Sequence, residues 1–174
     1  YAKELGMTIK LLASSKRQGD HLCAIVAPYL LKKEHPLYNV NDVFNAIFVH
    51  GNVLGDAMFY GSGAGKLPTA SAVVADVVDE AKHLNRNIMT MWKEEKLQLE
   101  DKADSKRRFF VRIKGKEEEL VPQLKESYGE IEVVKVPELE GEFGFVTPVM
   151  MEGDYETRSK LYKEQIVHMI RIQD

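Results

Sequence analysis

This sequence has a single cysteine, no excess of basic over acidic charge and no long apolar run, and each shortage excludes a class of protein. Cys23 is the only cysteine among 174 residues, so no disulfide can form within the chain, which favours a reducing, cytoplasmic setting. The formal net charge is −3, which gives no electrostatic reason to bind nucleic acid or an anionic membrane. No apolar run reaches the length of a membrane-spanning helix. We therefore expect partners other than nucleic acid or membrane.

Spacings typical of metal and nucleophile sites are also missing. No two histidines lie three or four residues apart and Cys23 has no partner, so the sequence predicts no metal site. Ser62 is flanked by Tyr60 and Ala64 instead of the two glycines of a nucleophile elbow. The histidines, which we interpret as surface or packing residues, are His21, His35, His50, His83 and His168.

Glycine is concentrated in one segment, Tyr60 to Asp76 (YGSGAGKLPTASAVVAD). Gly61, Gly63 and Gly65 stand immediately before a helix-start signal. Glycine lets the backbone approach a ligand closely, and the free N–H groups of a helix start can face a negative charge. Two interpretations therefore stay open: a ligand-binding loop, or a tight strand-to-helix connection without a ligand.

Two phosphate-binding motifs are excluded at this loop. A Walker A loop would need glycine at Tyr60 and a hydroxyl at Leu67. The fingerprint Gly-x-Gly-x-x-Gly would need glycine at Lys66. If the loop binds a nucleotide, it therefore does so as an accessory wall.

Hydrophobic patterning predicts a sheet-rich first part. Strands are expected at 7–13 and 22–27, joined by a polar connection over 14–20. A hairpin is expected over 43–60, with its turn at His50-Gly-Asn52.

One long helix is predicted after the glycine segment. Valine, alanine and leucine recur at spacings of three and four from Ala70 to Leu84, and Pro68 and Thr69 supply start signals. We expect this valine stripe to pack in a core. Residues 85–107 are rich in charge without a sustained period, which is typical of a linker.

Residues 108–174 read as strand, helix, strand, strand, helix, strand. Pro122 is expected in the first turn of the first helix, and Gly129 at its end. Pro148 suggests an edge or a bulge, and Asp154 is expected to cap a helix that runs to about Gln165.

Several segments resemble the homoserine dehydrogenase family in identity and order. Residues 2–13 (AKELGMTIKLLA) are similar to its Ala-x-Glu-Leu-Gly-x-x-Ile-Lys-Leu-Leu-Ala segment. His35-Pro-Leu-x-x-Val and Asn45-Ala-Ile-Phe-Val, followed by Gly51 and Gly55, resemble its next landmarks. Residues 58–76 resemble its C-terminal nucleotide-site loop and the helix that follows. The resemblance covers residues 1 to about 84.

This resemblance implies an α+β fragment. Residues 1–84 would be the remnant of a mixed-sheet substrate domain with one long helix. In the family, the nucleotide-binding domain, most substrate-binding residues and the catalytic lysine come before this segment, so no catalytic residue is expected in this chain. Gly65 matches the family's cofactor-contact glycine, and Gly63 and Ala64 lie beside it. These residues are expected to contact NADP or NAD, with L-homoserine as the substrate.

The order of elements in 108–174 resembles an ACT domain, a βαββαβ regulatory or dimerisation module found after many homoserine dehydrogenases. Its first strand is usually followed by an Asp-x-x-Gly turn that receives an amino-acid effector, whereas this chain has Lys114–Glu119 (KGKEEE). Three carboxylates should repel an effector carboxylate at close range. Effector binding is therefore in doubt, and a dimer-forming role without an effector is the other interpretation.

Two function classes remain. The first is a fragment of an NAD(P)-dependent homoserine dehydrogenase of threonine, methionine and isoleucine biosynthesis, inactive on its own and part of a homo-oligomer, expected to be a dimer. The alternative is a non-catalytic ACT-like regulatory or assembly module.

Overall fold

A long antiparallel hairpin opens the fold in the computed structural model, which describes residues 1–94 and 96–173. Strand β1 (Met7–Gln18) pairs along its whole length with β2 (His21–Lys32). Gly19, with φ +63°, provides the left-handed turn between them. The predicted loop over 14–20 is mostly wrong, because the cross-strand ladder keeps the polar residues extended as far as Gln18.

A second hairpin and one long helix follow. Strand β3 (Phe44–Gly51) pairs with β4 (Gly55–Ser62), which confirms the predicted hairpin. Its turn lies after Gly51, slightly later than predicted, and Gly55 has φ +76°. Helix α1 (Lys66–Lys82) confirms the predicted helix but begins earlier, so that Pro68 and Thr69 lie inside its first turn.

The valine stripe of α1 is exposed. Val73 keeps 57% and Val77 63% of its surface accessible, and none of the described residues of α1 is buried. Core packing of this stripe, expected from its periodicity, is therefore wrong for the described residues. Trp92, the single tryptophan, is 88% exposed, so it does not have the packing role on a neighbouring surface that a tryptophan usually has. Periodicity identified the helix but could not show what covers its apolar side.

The remaining strands and helices follow the predicted order after one short strand, β5 (Gln98–Leu99), which lies in the predicted linker and pairs with β2. A short 3-10 turn separates it from the next strand; the others are β6 (Lys106–Lys114), α2 (Glu117–Tyr128), β7 (Glu132–Val134), β8 (Glu142–Val146), β9 (Met150–Met151), α3 (Glu152–Ser159) and β10 (Ile166–Gln173). We call residues 106–173 the C-terminal module. Its βαββαβ order is confirmed, with β9 as an added short strand.

Helix ends in the module differ from the predictions in two places. Pro122 lies inside α2, beyond the first turn, because the helix begins at Glu117. Helix α3 begins at Glu152, before the predicted cap Asp154, and ends at Ser159. The glycine stop of α2 is confirmed, since Gly129 caps that helix with φ 85°.

Strand pairing joins the first hairpin to the module. The sheet runs in the order β1-β2-β10-β6-β8-β7, and β10 lies parallel to β2 and antiparallel to β6. Two compact units result: Tyr1–His35 with Lys96–Asp174, and Pro36–Glu95. These units divide the chain differently from the boundaries predicted at 84 and 107, which stay a prediction. Glu95 of the predicted linker and Asp174 lie outside the described residues.

The core of the first unit has two layers. On one face of the sheet, Phe109, Val111 and Ile113 of β6 pack with residues of α2 and α3. Phe110 points to the opposite face, as strand alternation requires, and packs there with Leu30, Val134, Val146 and Ile172. The turn before β1 packs against this second cluster through Tyr1, Ala2, Leu5 and Met7.

Candidate cofactor-binding loop

The glycine segment forms an exposed connection between β4 and α1. Strand β4 ends at Ser62, and Gly65 is the N-cap of α1 with φ 117° and ψ 162°. Side-chain-bearing residues rarely adopt this conformation, so glycine is required there by the backbone. Gly63, Ala64 and Gly65 therefore lie together on one exposed turn.

The start of α1 is electrostatically open to an anion. No side chain caps the helix, and its first turn carries no acidic residue. Unpartnered N–H groups at a helix start give that end a partial positive charge. Lys66, the first helical residue, adds a formal positive charge. The turn can accordingly receive a negatively charged or carbonyl-bearing ligand against bare backbone.

The hairpin β3–β4 supports the turn from one side. The Asn45 side chain lies against Gly63: a Cβ on Gly63 would be 2.8 Å from Asn45 Nδ2. Phe44 and Tyr60 stack beside it, with ring centroids 4.9 Å apart and planes inclined by 15°. Asn45 was recognised in the sequence as a family landmark, but its contact with the glycine turn was not predicted. That contact depends on the pairing of β3 with β4, which places Asn45 opposite Gly61.

Two of the histidines predicted to be surface or packing residues, His50 and His83, lie in the same unit as this turn but away from it. His50 Nδ1 lies 2.5 Å from Asp56 Oδ1 at the far end of the hairpin, where both side chains are exposed. His83 Nδ1 lies 2.8 Å from the backbone oxygen of Asp79 near the end of α1. Among the residues that the structure describes, no three His, Cys, Asp or Glu side chains gather as they would around a metal ion. No described helix is long and apolar enough to cross a membrane.

Two buried or half-buried ion clusters in the first unit were not predicted. Arg112 of β6 forms two hydrogen bonds to Glu142 of β8, at 2.9 and 2.8 Å, and Tyr1 donates a longer one of 3.4 Å to Glu142. The Arg112 hydrogen bonds hold the pKa of the Glu142 carboxyl below its ordinary value. Sequence alone could not reveal the cluster, because its three members are far apart along the chain.

The second cluster surrounds Glu152, whose side chain is fully buried. Arg171 binds its carboxylate with two hydrogen bonds, one of them 3.0 Å long, and Arg107 Nε lies 3.5 Å away. Arg107 also donates to the Tyr29 hydroxyl and lies over the Tyr29 ring. Hydrogen bonding to Glu152 raises the pKa of Arg171.

The turn at 114–119, which differs in sequence from the family's effector turn, lines a cavity of about 530 Å³. The cavity lies between the start of α2, the β7–β8 connection and the start of β8. Gly115 has φ +137°, and the three glutamates of 117–119 occupy the first turn of α2. Lys135 Nζ lies 2.6 Å from Glu117 Oε2, and Lys116 Nζ 3.4 Å from Glu119 Oε1. The acidic run is thus a helix start in which two carboxylates form exposed ion pairs with lysines.

Comparisons with known proteins agree with the resemblance seen in the sequence. The family model described as homoserine dehydrogenase matches residues 1–78. Homoserine dehydrogenase of Bacillus subtilis (strain 168) is 42% identical over 88 residues, which are 51% of this chain and 20% of that protein. The Helicobacter pylori enzyme of the same name is 36% identical over 113 residues, which are 65% of this chain and 27% of that protein.

The fold is shared beyond the matched sequence. A crystal structure of a homoserine dehydrogenase from Thiobacillus denitrificans superposes with a TM-score of 0.80 at 24% identity, covering 100% of this chain and 44% of that one. The S. aureus homoserine dehydrogenase at pH 7.0 gives 0.72 at 29% identity, covering 99% and 43%. This chain therefore spans less than half of each of these structures and about a fifth of the B. subtilis relative.

The chain is related to a family of oxidoreductases with a mixed α+β fold. The matched segment contains the glycine turn between hairpin and helix. Residues 1–78 match the family model described as homoserine dehydrogenase, and this part of the chain is similar to curated enzymes of that name.

Proposed function

We propose that this chain works as part of an NAD(P)-dependent homoserine dehydrogenase, which interconverts L-homoserine and L-aspartate 4-semialdehyde. The observation that carries the proposal is the exposed Gly63–Gly65 turn at an uncapped helix start, inside the segment that matches the family. The curated relatives are named for that activity. The cytoplasmic setting stays part of the proposal and is supported by the single cysteine.

In this proposal the cofactor, NADP or NAD, supplies the hydride chemistry, and the glycine turn supplies one wall of its site. Gly65 gives a backbone conformation that a side chain would strain, and Gly63 keeps the surface beside Asn45 free of a Cβ. The start of α1 offers N–H groups to a polar group of the ligand. The catalytic lysine and most substrate contacts are assigned by the resemblance to sequence outside this chain.

The C-terminal module is proposed to be ACT-like and to assemble with a second copy. Its βαββαβ order and its two helices on one face of the sheet support this assignment. The alternative, a purely non-catalytic regulatory or assembly protein, is not favoured, because the family match covers the segment that contains the glycine turn.

The test uses the longest natural polypeptide that contains this chain. Its purified form should reduce NADP or NAD in the presence of L-homoserine, measured as nicotinamide absorbance. Gly65→Val should lower cofactor affinity or turnover far more than folding, because valine must adopt φ near +117° beside Pro68.

Gly61→Val, near the end of β4 and just before the turn, is the matched control. Gly61 has an ordinary backbone conformation, and a Cβ there would meet nothing within 4 Å. A normally folded Gly65→Val protein with unchanged cofactor affinity and turnover would show that the loop is only a connector. A polypeptide that oxidises another alcohol but not homoserine would contradict the proposal that homoserine is its substrate.

A further inference from the structure

The joint between the first hairpin and the C-terminal module has a charged centre within an apolar core. Among the described residues, strand β2 meets β10 over three residue pairs, Tyr29–Leu31 with Arg171–Gln173. Such a short ladder supplies few backbone hydrogen bonds, so side-chain contacts carry much of the register. Leu30 and Ile172 supply an apolar contact of this kind, and a polar one lies beside them.

Glu152 occupies the position that could do so. Its side chain has no exposed surface, and the side chains of Arg171 and Arg107 keep only 14% and 15% of theirs. The three residues come from α3, β10 and β6, so one carboxylate connects three elements of the module. Backbone hydrogen bonding of Glu152 N–H to the Ser105 oxygen, 2.9 Å, fixes where that carboxylate stands.

The hairpin enters this cluster through a single residue. Tyr29 is 1% exposed, accepts a hydrogen bond from Arg107, and lies with its ring centroid 5.6 Å from the Arg107 guanidinium carbon. Tyr29 is also the Cα partner of Arg171 in the β2–β10 ladder. Both arginines that hold Glu152 therefore face the same tyrosine, one through its side chain and one through strand pairing.

We propose that Glu152 is a positioning residue that locks the C-terminal module onto the hairpin in one register. The lock works because Glu152 holds the side chains of Arg107 and Arg171 in place. Arg107 in turn donates to the Tyr29 hydroxyl of the hairpin, so the carboxylate acts on the joint through this arginine. Any slip of β10 along β2 moves Arg171 away from Tyr29. The family-matched hairpin and the module then move as one body, so that a change in the module is passed directly to β2.

Amide hydrogen exchange of the whole chain tests the lock. Glu152→Gln removes the charge and keeps the size of the side chain. We expect exchange at 29–31 and 171–173 to rise at least about tenfold, because local opening at the joint becomes cheaper, whereas 143–146 in β8 changes by less than about threefold. Glu156→Gln is the matched control, since Glu156 pairs with Lys102 at 2.5 Å on the surface and should leave both sets unchanged.

Two results would overturn the proposal. An equal rise in both sets of amides would make Glu152 a general stabiliser of the unit, and no rise at the joint would make it dispensable. If Glu152→Gln does not fold, Tyr29→Phe replaces it, because it removes only the hydroxyl that the hairpin contributes. The lock then requires faster exchange at 171–173 with unchanged exchange at 143–146, and uniform or unchanged exchange would refute it.

Discussion

The Asn45 side chain lies so close to Gly63 that a Cβ on that glycine would begin 2.8 Å from Asn45 Nδ2 and 3.4 Å from its Cγ. Asn45 belongs to β3, and Gly63 follows β4, so the pairing of the two strands creates the contact. The nearest atom is the end of a short side chain, which can rotate. A side chain on Gly63 would therefore displace Asn45 rather than break the hairpin.

This relationship predicts a rescue. In the longer natural polypeptide, Gly63→Ala should weaken cofactor binding severalfold, because the displaced Asn45 amide crowds the glycine turn. Adding Asn45→Ala should restore much of the affinity, since it removes the atoms that the new methyl group meets. Titration of nicotinamide fluorescence measures the dissociation constant of the cofactor for the single and the double variant. Equal weakening with and without Asn45→Ala would refute the steric explanation.

The 174-residue chain alone should show no homoserine dehydrogenase activity. The resemblance assigns the nucleotide-binding domain and the catalytic lysine to sequence outside it, and the chain spans 44% of the T. denitrificans structure. Purified chain with homoserine and NADP or NAD should give no rise in nicotinamide absorbance. A turnover-dependent rise that a substitution within this chain abolishes would contradict the prediction.

Tyr128→Phe should leave the protein as stable as before or stabilise it by up to about 1 kcal/mol. The Tyr128 hydroxyl is buried without a hydrogen-bond partner, and burial strongly raises its pKa. The substitution therefore removes a polar group whose loss of hydration is not compensated by a hydrogen bond. Urea unfolding measures the change.

Tyr162→Phe is the matched control in the same aromatic cluster. The Tyr162 hydroxyl lies 2.7 Å from Ser127 Oγ and donates to the Gln123 oxygen at 2.9 Å. Its loss should cost about 1 kcal/mol, because the substitution removes two hydrogen bonds of a buried hydroxyl. The prediction fails if both substitutions destabilise equally.

Stability should depend on acid through Glu142. Hydrogen bonds from Arg112 lower its folded pKa below the unfolded value of about 4.3, so the unfolded state binds the proton more readily. The resulting stabilisation is present above the unfolded pKa and is lost as the pH falls through the folded pKa. Unfolding free energy should therefore decline below about pH 5, and part of that decline should vanish in Glu142→Gln.

Glu130→Gln provides the control for this titration. Glu130 is 91% exposed and pairs with Lys125 at 3.3 Å, so solvent screens the pair. Urea unfolding between pH 3 and 7 should give a wild-type profile for Glu130→Gln. If Glu142→Gln also retains the wild-type slope, the Arg112 pair contributes nothing to acid stability.

The chain should form a dimer whose mass and melting temperature do not respond to threonine. Within the C-terminal module one sheet edge, β10, is already paired with β2, which leaves β7 as the edge available to a second copy. Lysine-paired glutamates at the Gly115 turn give no reason to expect an effector carboxylate there. Sedimentation at several concentrations measures the mass, and a monomer at high concentration would defeat the dimer claim. A threonine-induced rise in melting temperature would defeat the effector claim.

Local sequence signals predicted strands, helices and turns better than they predicted contacts between distant parts of the chain. The Gly63–Gly65 turn, α1 and the βαββαβ order could be predicted because turn glycines, helical spacing and strand alternation act over a few residues. The predicted β1 was too short. Residues 14–18 are polar, but their pairing with β2 keeps them in the strand.

Contacts between distant residues were beyond reach. Nothing in the local sequence marks Tyr29, Arg107, Glu152 and Arg171 as a cluster. The pairing of β2 with β10 and the side-chain contacts of Glu152 and Arg107 bring them together. The exposure of the α1 valines could not be predicted either. Helical periodicity shows which residues share one side of a helix, but it does not show whether anything covers that side. Asn45 as the neighbour of Gly63 likewise depends on strand register.

The parallel pairing of β2 with β10 has a consequence for synthesis on the ribosome. Hairpin β1–β2 emerges well before its sheet partner β10, because helices α1, α2 and α3 and strands β3 to β9 lie between them in the chain. At the usual elongation rates the hairpin must wait on the order of ten seconds for that strand. During this interval the hydroxyl of Tyr29 and the apolar surface of Leu30 and Leu31 have no sheet neighbour on the β10 side. Nascent chains are accordingly expected to depend on chaperones during this interval, so reduced chaperone capacity should lower the yield of folded protein more than its final stability.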